Sequence, residues 1–393
     1  MSTEIFGFDG VNVWVDGLVR VLLIVGFMTV VVMGLIYGER KILARFQQRL
    51  GPTRTGPVGL LQSVADALKL VGKEDLRPRN ADAWTFELAP YLVFVPVFLG
   101  FVIVPFVLDW QVRILELGLL YFVAVTGINI VGWIMAGWGS DNRYAMIGGM
   151  RAAAQGISYE LPLVLSLLAV AMVVEVPSDS ATGESLRGSL NLNEIIAAQA
   201  EIPNLVWQPL VLIVFFIAAL AELNRTPFDI PVGESEVVGG PFVEYSGIRW
   251  SMFFLAEYAA LLIMSLIFAA VFLGGWAWPA GLFQDDPWPR WAQALLVTGK
   301  AGLFIFMVFW VRASVPRLRI DQLMSFTWKI LLPLMFAQVL INGLVLVYDW
   351  PEIVLTVTGL VGVLVLVMAV DRAVRHPRPR PAPATQLEGE AAS

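Results

Sequence analysis

Long apolar runs alternate with short charged segments along this chain, and nine of the runs approach the ~20 residues that a helix needs to cross a bilayer. They fall at roughly 18–37, 88–108, 114–136, 157–176, 205–223, 251–273, 291–311, 330–348 and 353–370. Only Asp349-Trp350-Pro351-Glu352 separates the last two, which predicts a hairpin; the alternative is one long helix broken at Pro351. The run beginning at Leu18 starts too far in, and is too long, for a cleaved signal peptide. One further segment has a different period. In PVGLLQSVADALKLVGK, residues 57–73, Leu60, Leu61, Val64, Leu68 and Val71 share one helical face, and Gln62, Asp66, Lys69 and Lys73 share the other. It is too short and too polar to span, so it is expected in the interface plane. The predicted fold class is all-α: a polytopic integral membrane protein of about nine transmembrane helices over residues 1–370, plus a cytoplasmic-side amphipathic interfacial helix. Pro, Arg and small residues after Asp371 predict a disordered cytoplasmic tail over 371–393.

Composition narrows the function. Hydrophobic residues make up 58% of the chain and charged ones 15%, against about 25% charged in soluble domains, which excludes an ordinary soluble enzyme. The chain has no cysteine and one histidine, His376. Disulfides, thiolate-held clusters, histidine-rich metal centres and Ser-His-Asp chemistry are therefore excluded, and no metal site is expected. No Walker A or GxGxxG pattern occurs, so nucleotide binding by this chain is not expected, nor is nucleic acid. Lys and Arg give the orientation: segments 38–87, 137–156, 224–250, 312–329 and 371–393 hold 21 of them, and the intervening loops hold three, Arg113, Arg187 and Arg290. The expectation is an N-terminus outside and a cytoplasmic C-terminus.

Ionisable residues at membrane depth are costly, on the order of 2.5–3.5 kcal/mol each at a helix centre, and are functional candidates by default. Glu160, Glu222, Glu257 and Lys300 fall in predicted spans. A Glu257–Lys300 ion pair is the plain structural reading. The alternative is a proton or cation path, because Glu222 continues into a loop with Asp229, Glu234, Glu236 and Glu244 around Arg225. Glycines and prolines preclude a regular helix between Pro227 and Pro241, and the interleaved Ile230, Val232, Val237, Val238 and Phe242 predict a loop packed into protein. Cations surround Asp321 in the fourth loop, RASVPRLRIDQLMSFTWK, and are expected to pair with the third-loop carboxylates. The cations of the first loop are explained by anchoring to lipid phosphates; Glu39 in the same stretch is not. By composition alone the 57–73 helix fits a lipid surface better than a partner-facing role.

These loops carry a resemblance. GERKILARFQQRLGP, LLQSVADALKLVGKED, AELNRTPFDIPVGESE followed by FVEYSG, and RASVPRLRIDQLM followed by WK together resemble one family, the quinone-tunnel membrane subunits of bacterial proton-pumping NADH:quinone oxidoreductase, respiratory complex I. The match runs from about 18 to 348, leaving the ninth span and the tail outside its strongest part. The resemblance implies a membrane subunit of a translocase in the cell inner membrane. It implies a quinone-access tunnel, for ubiquinone or menaquinone, and an acidic path that couples quinone reduction to proton translocation. No cofactor is expected on this chain itself; quinone is the substrate, with FMN and iron–sulfur clusters in partner subunits. Partners are other complex I membrane subunits, the soluble peripheral-arm subunits and the lipid bilayer. On this reading Glu160, Glu222, Glu234, Glu236, Glu244 and Glu257 are proton-path candidates. Arg40, Arg49, Gly51, Pro52, Asp66, Lys69, Phe228 and Asp229 shape the tunnel or dock partners. Arg317, Arg319 and Asp321 tie the loops together. The rival readings are a kindred membrane subunit of an energy-converting hydrogenase and a stand-alone proton-coupled secondary transporter.

Overall fold

A computed structural model describes residues 13–107, 111–176, 186–200, 202–277 and 289–375. Its helices are α1 (Val13–Phe46), α2 (Gln62–Gly72), α3 (Ala83–Gly100), α4 (Gly118–Gly139), α5 (Arg143–Val173), α6 (Leu192–Ala198), α7 (Asn204–Trp207) and α8 (Pro209–Glu222). They continue as α9 (Glu234–Val237), α10 (Gly247–Phe272), α11 (Arg290–Ser314), α12 (Ile320–Phe326), α13 (Leu332–Val347) and α14 (Ile353–Arg375). A two-residue ladder, Glu175–Val176 against Leu186–Arg187, is the only sheet among the described residues.

Each predicted apolar run forms a helix, and eight are long and apolar enough to cross a membrane. The fifth differs. Its run 205–223 divides at Gln208 and Pro209 into α7 and a 14-residue α8, about 21 Å long and shorter than the hydrocarbon core. Other helices overrun their expected limits. The charged GERKILARF stretch, rich in good helix formers, extends α1 to Phe46, and the chain then turns at Gln48, whose φ is 53°. The expected loop 137–156 shrinks to three residues, 140–142, where the Asn142 side chain accepts the Tyr144 N–H at 2.9 Å and starts α5. At 31 residues α5 extends beyond a bilayer's thickness. The eighth span begins at α12 and passes through a π-helical segment, Thr327–Leu331, into α13. The ninth continues to Arg375; the remaining tail, with His376, lies outside the described residues.

The centre of the bundle is α10, 78% buried along its apolar window, against 18% for α1 and 17% for α14. Phe268 of α10 packs on Phe215 of α8 and Phe304 of α11, at centroid distances of 6.2 and 4.8 Å. The α2–α3 connection is tied to the start of α10: Arg249 meets Asp75 at 3.1 Å, and the Ser246 hydroxyl accepts the Leu76 N–H at 3.1 Å. These ties hold α2 beside α1 and α10, with Val64, Leu68 and Val71 of its apolar face exposed as an interfacial helix requires.

Candidate functional site

The interior polar site starts from the end of α8. Asn224 adopts a φ of 49°, and the Arg225 N–H returns to the Leu220 carbonyl at 3.2 Å, closing the helix with a left-handed cap. That turn sends the Arg225 side chain inward, where it is 4% exposed. Its Nη1 donates to Glu39 Oε1 and Oε2 at 3.2 and 3.4 Å. Its Nε lies 4.0 Å from Glu257 Oε1, and its guanidinium sits 4.4 Å above the Tyr258 ring. Arg312 of α11 also donates to Glu39 Oε1. Four segments thus converge on two carboxylates and two guanidinium groups. Burial opposes the charge of Arg225, but Glu257 and Glu39 outweigh it and push the pKa above the ordinary arginine value. Nε and Nη2 of Arg225 still lack a hydrogen bond.

Next to this cluster α3, α4, α8 and α10 leave a cavity with about 40 Å³ of room for water centres, which accommodates about three ordered waters. Glu222, Asn224, Glu257 and Asn129 supply its polar lining, among Val93, Val97 and Ala260. Glu222 Oε2 and Asn129 Oδ1 are buried there without hydrogen-bond partners, the expected condition of groups that face a hydrated space. Glu160 of α5 lies within electrostatic reach of Glu222. Gly127 on α4 admits its carboxylate, since a Cβ there would stand 2.8 Å from Glu160 Oε1. Gln155, one turn before Glu160, is 2% exposed. Its Nε2 donates to the carbonyls of Ala221 and Phe228 at 2.7 and 2.8 Å, with Asn224 Oδ1 sharing a hydrogen at 3.1 Å, clamping the chain on both sides of Glu222.

The structure divides the six candidate carboxylates. Glu160, Glu222 and Glu257 gather in the interior. Glu236 is 58% exposed and pairs with Arg151 at 2.7 Å, and Glu244 accepts from Asn142 Nδ2 at 2.6 Å, so both fasten the loop to α5 or its cap. The Glu234 side chain lies outside the described residues. That loop is packed in through Ile230 and Val237, which are buried, but Val238 is exposed, and its prolines and glycines leave room for one helical turn, α9. Phe228 is buried, its ring 5.3 Å from Tyr159. Arg317 meets Asp229 at 3.0 Å, joining the third and fourth loops as expected. Arg319 and Asp321 open α12, and among the described residues neither makes an ion pair with the third loop.

In the first loop Arg40 reaches α2 and binds Asp66 at 2.6 Å, and Lys69 is exposed. Arg49 is exposed, and its N–H caps α1 at Ala44. Gly51 lies against Arg40 and Lys41, and the following turn is so tight that a Cβ on Gly59 would fall 2.2 Å from the Pro52 carbonyl oxygen.

Two expected pairings are corrected. Lys300 does not meet Glu257; its ammonium donates to the carbonyls of Leu273, Gly275 and Ala277 at 2.6, 2.8 and 2.7 Å, capping the end of α10. Carbonyls freed at a helix C-terminus supply several acceptors in one place, which a single carboxylate does not. Nor does Arg312 of the fourth loop pair with a third-loop carboxylate; among the described residues it meets Glu39 of α1. Sequence reasoning left Glu39 unexplained, assigned Arg312 to the third-loop carboxylates, and missed Tyr258 and Gln155. The available signals were a lone acid at the head of a basic run and a lone arginine in an acidic loop.

Fold and site define a multi-span helical membrane protein with a buried ionic cluster beside a polar cavity. The chain belongs to the NADH dehydrogenase family, whose model matches residues 19–343. It is 43% identical over 342 residues to the H subunit of the NADH-quinone oxidoreductase of Brevibacillus brevis, covering 86% of this chain and 95% of that protein. The corresponding H subunit of Dehalococcoides mccartyi strain CBDB1 is 46% identical over 330 residues, 84% and 87% of the two chains. That of Geobacillus kaustophilus is 45% identical over 311 residues, 79% and 88%. The family resemblance of the four loop motifs is borne out.

Proposed function

We propose that this chain is the membrane subunit of a proton-translocating NADH:quinone oxidoreductase that admits quinone from the bilayer and couples its reduction to proton movement. Catalysis is completed with partner subunits that carry FMN and iron–sulfur clusters. The N-terminus lies outside and the C-terminus in the cytoplasm. The carrying observation is the cavity shared by Glu222 and Glu257, joined on one side to Glu160 and on the other to the Arg225–Glu39–Arg312 cluster. Two carboxylates facing one small hydrated space hold and pass a proton at less cost than either buried alone. The relatives' names agree with this assignment. The apolar face of α2, exposed beside α1 and α10, supports quinone entry there, with Arg40, Arg49, Gly51 and Pro52 shaping the mouth and Asp66 held by Arg40. Phe228 and Asp229, in the third loop, belong to the same docking region on this reading.

Glu222→Gln tests the proton path, since glutamine keeps shape and hydrogen bonding but cannot titrate. The expected outcome in the assembled complex is normal NADH oxidation by an artificial acceptor, with depressed quinone reduction and pumping. Glu222→Asp should retain part of both. Full pumping per electron in a stable Glu222→Gln complex removes Glu222 from the path.

A further inference from the structure

The last helix lies beyond the part of the chain that the family model matches, which stops at 343, whereas α14 begins at Ile353. It is not loosely attached. Leu355, Gly359, Gly362 and Leu366 are buried along one stripe, spaced by four, three and four residues, as a single helix face requires. The stripe packs on α7, α8 and α13. Its two glycines bring backbone against the outer end of the short α8. A Cβ on Gly359 would stand 2.8 Å from Pro209 Cδ, and one on Gly362 would stand 2.5 Å from Leu210 Cδ2. The ring of Pro209 has little freedom to yield, so at Gly359 the close approach depends on glycine.

Behind this contact is a polar knot that an apolar bilayer would penalise. Gln208, fully buried, donates to the Ala169 carbonyl at 3.1 Å; Asn342 donates to the same carbonyl at 3.0 Å and accepts from Gln338 at 2.9 Å. Gln208 Oε1 is buried with no partner. At about 21 Å, α8 is too short to shield its own outer end, where Pro209 also withholds an N–H. The knot's amide groups find their partners only within the protein, and lipid tails offer no donor or acceptor to replace them.

We propose that α7, α8 and α13 form a docking groove for one transmembrane helix, occupied in this chain by its own α14, which seals the Gln208–Asn342–Gln338 knot from lipid. The groove selects an apolar helix with small residues one turn apart, and attachment through the loop after Tyr348 is dispensable for binding. This inference is independent of the quinone assignment.

A protease site inserted between Tyr348 and Glu352 tests it in the purified complex in mild detergent. After cleavage the fragment carrying α14 should stay bound, and Gly359→Leu should release it at least tenfold more readily. Leu210→Cys adds a second reading, because Leu210 is 2% exposed. The cysteine should resist a lipid-soluble maleimide while α14 is seated and react at least tenfold faster in the cleaved Gly359→Leu variant once its fragment has been released. Where the cysteine variant does not assemble, the cleavage arm decides alone. Loss of the wild-type fragment on cleavage, or equal retention of the Gly359→Leu fragment, overturns the proposal. Unchanged cysteine reactivity after α14 is removed overturns the seal.

Discussion

Replacing Arg225 with Met should be among the most damaging single changes in the protein interior. The side chain is 4% exposed and serves two carboxylates, Glu39 at 3.2 Å and Glu257 at 4.0 Å. Removing one partner of a buried ion pair costs about 3–5 kcal/mol, because the other charge is left in a poorly solvating interior. That amounts to roughly two to four powers of ten in the folding equilibrium. The structure also says which carboxylate suffers. Glu39 retains its contact with Arg312, whereas Glu257 loses its only ion pair among the described residues. Glu257→Gln in the Arg225→Met background should therefore recover more stability than Glu39→Gln does. The assay is unfolding of the purified subunit in increasing mole fractions of SDS, with the wild type and the three variants measured side by side. Wild-type stability in Arg225→Met, or a larger rescue from Glu39→Gln, would refute the reasoning.

Lys300→Met removes the donor from three carbonyls at the end of α10 and should cost about 2–4 kcal/mol in the same titration; no loss would mean that the cap is idle. Gly51→Leu should slow quinone reduction several-fold while leaving NADH oxidation by an artificial acceptor intact, since a Cβ at 3.1 Å from Lys41 Cδ and 3.3 Å from the Arg40 carbonyl oxygen forces the first loop to shift. A reporter fused after Ser393 should be cytoplasmic, from the 21-to-3 division of loop cations; a reporter on the outer side reverses the assigned orientation.

The sequence by itself determined the nine apolar helices, the interfacial α2 and the family. Each of these is written in local pattern: run length against bilayer thickness, a 3.6-residue period, and four motifs in order. It also marked Glu160, Glu222 and Glu257, because a carboxylate within an apolar run is conspicuous wherever the run folds. It could not say which charges meet. Glu39 and Arg225 are 186 residues apart, and Glu39 and Arg312 are 273 apart. In sequence Glu39 is one acid in a basic run, left over once anchoring has explained the cations, and Lys300 is one cation in want of an acid. Packing α1, α10 and α11 around the end of α8 turned the first into the centre of the ionic cluster. The turn that ends α10 turned the second into a cap on backbone carbonyls. Charge type is a local property of a residue. Its partner, its burial and the water space beside it are set by the distances between helices, and those exist only once the bundle has assembled.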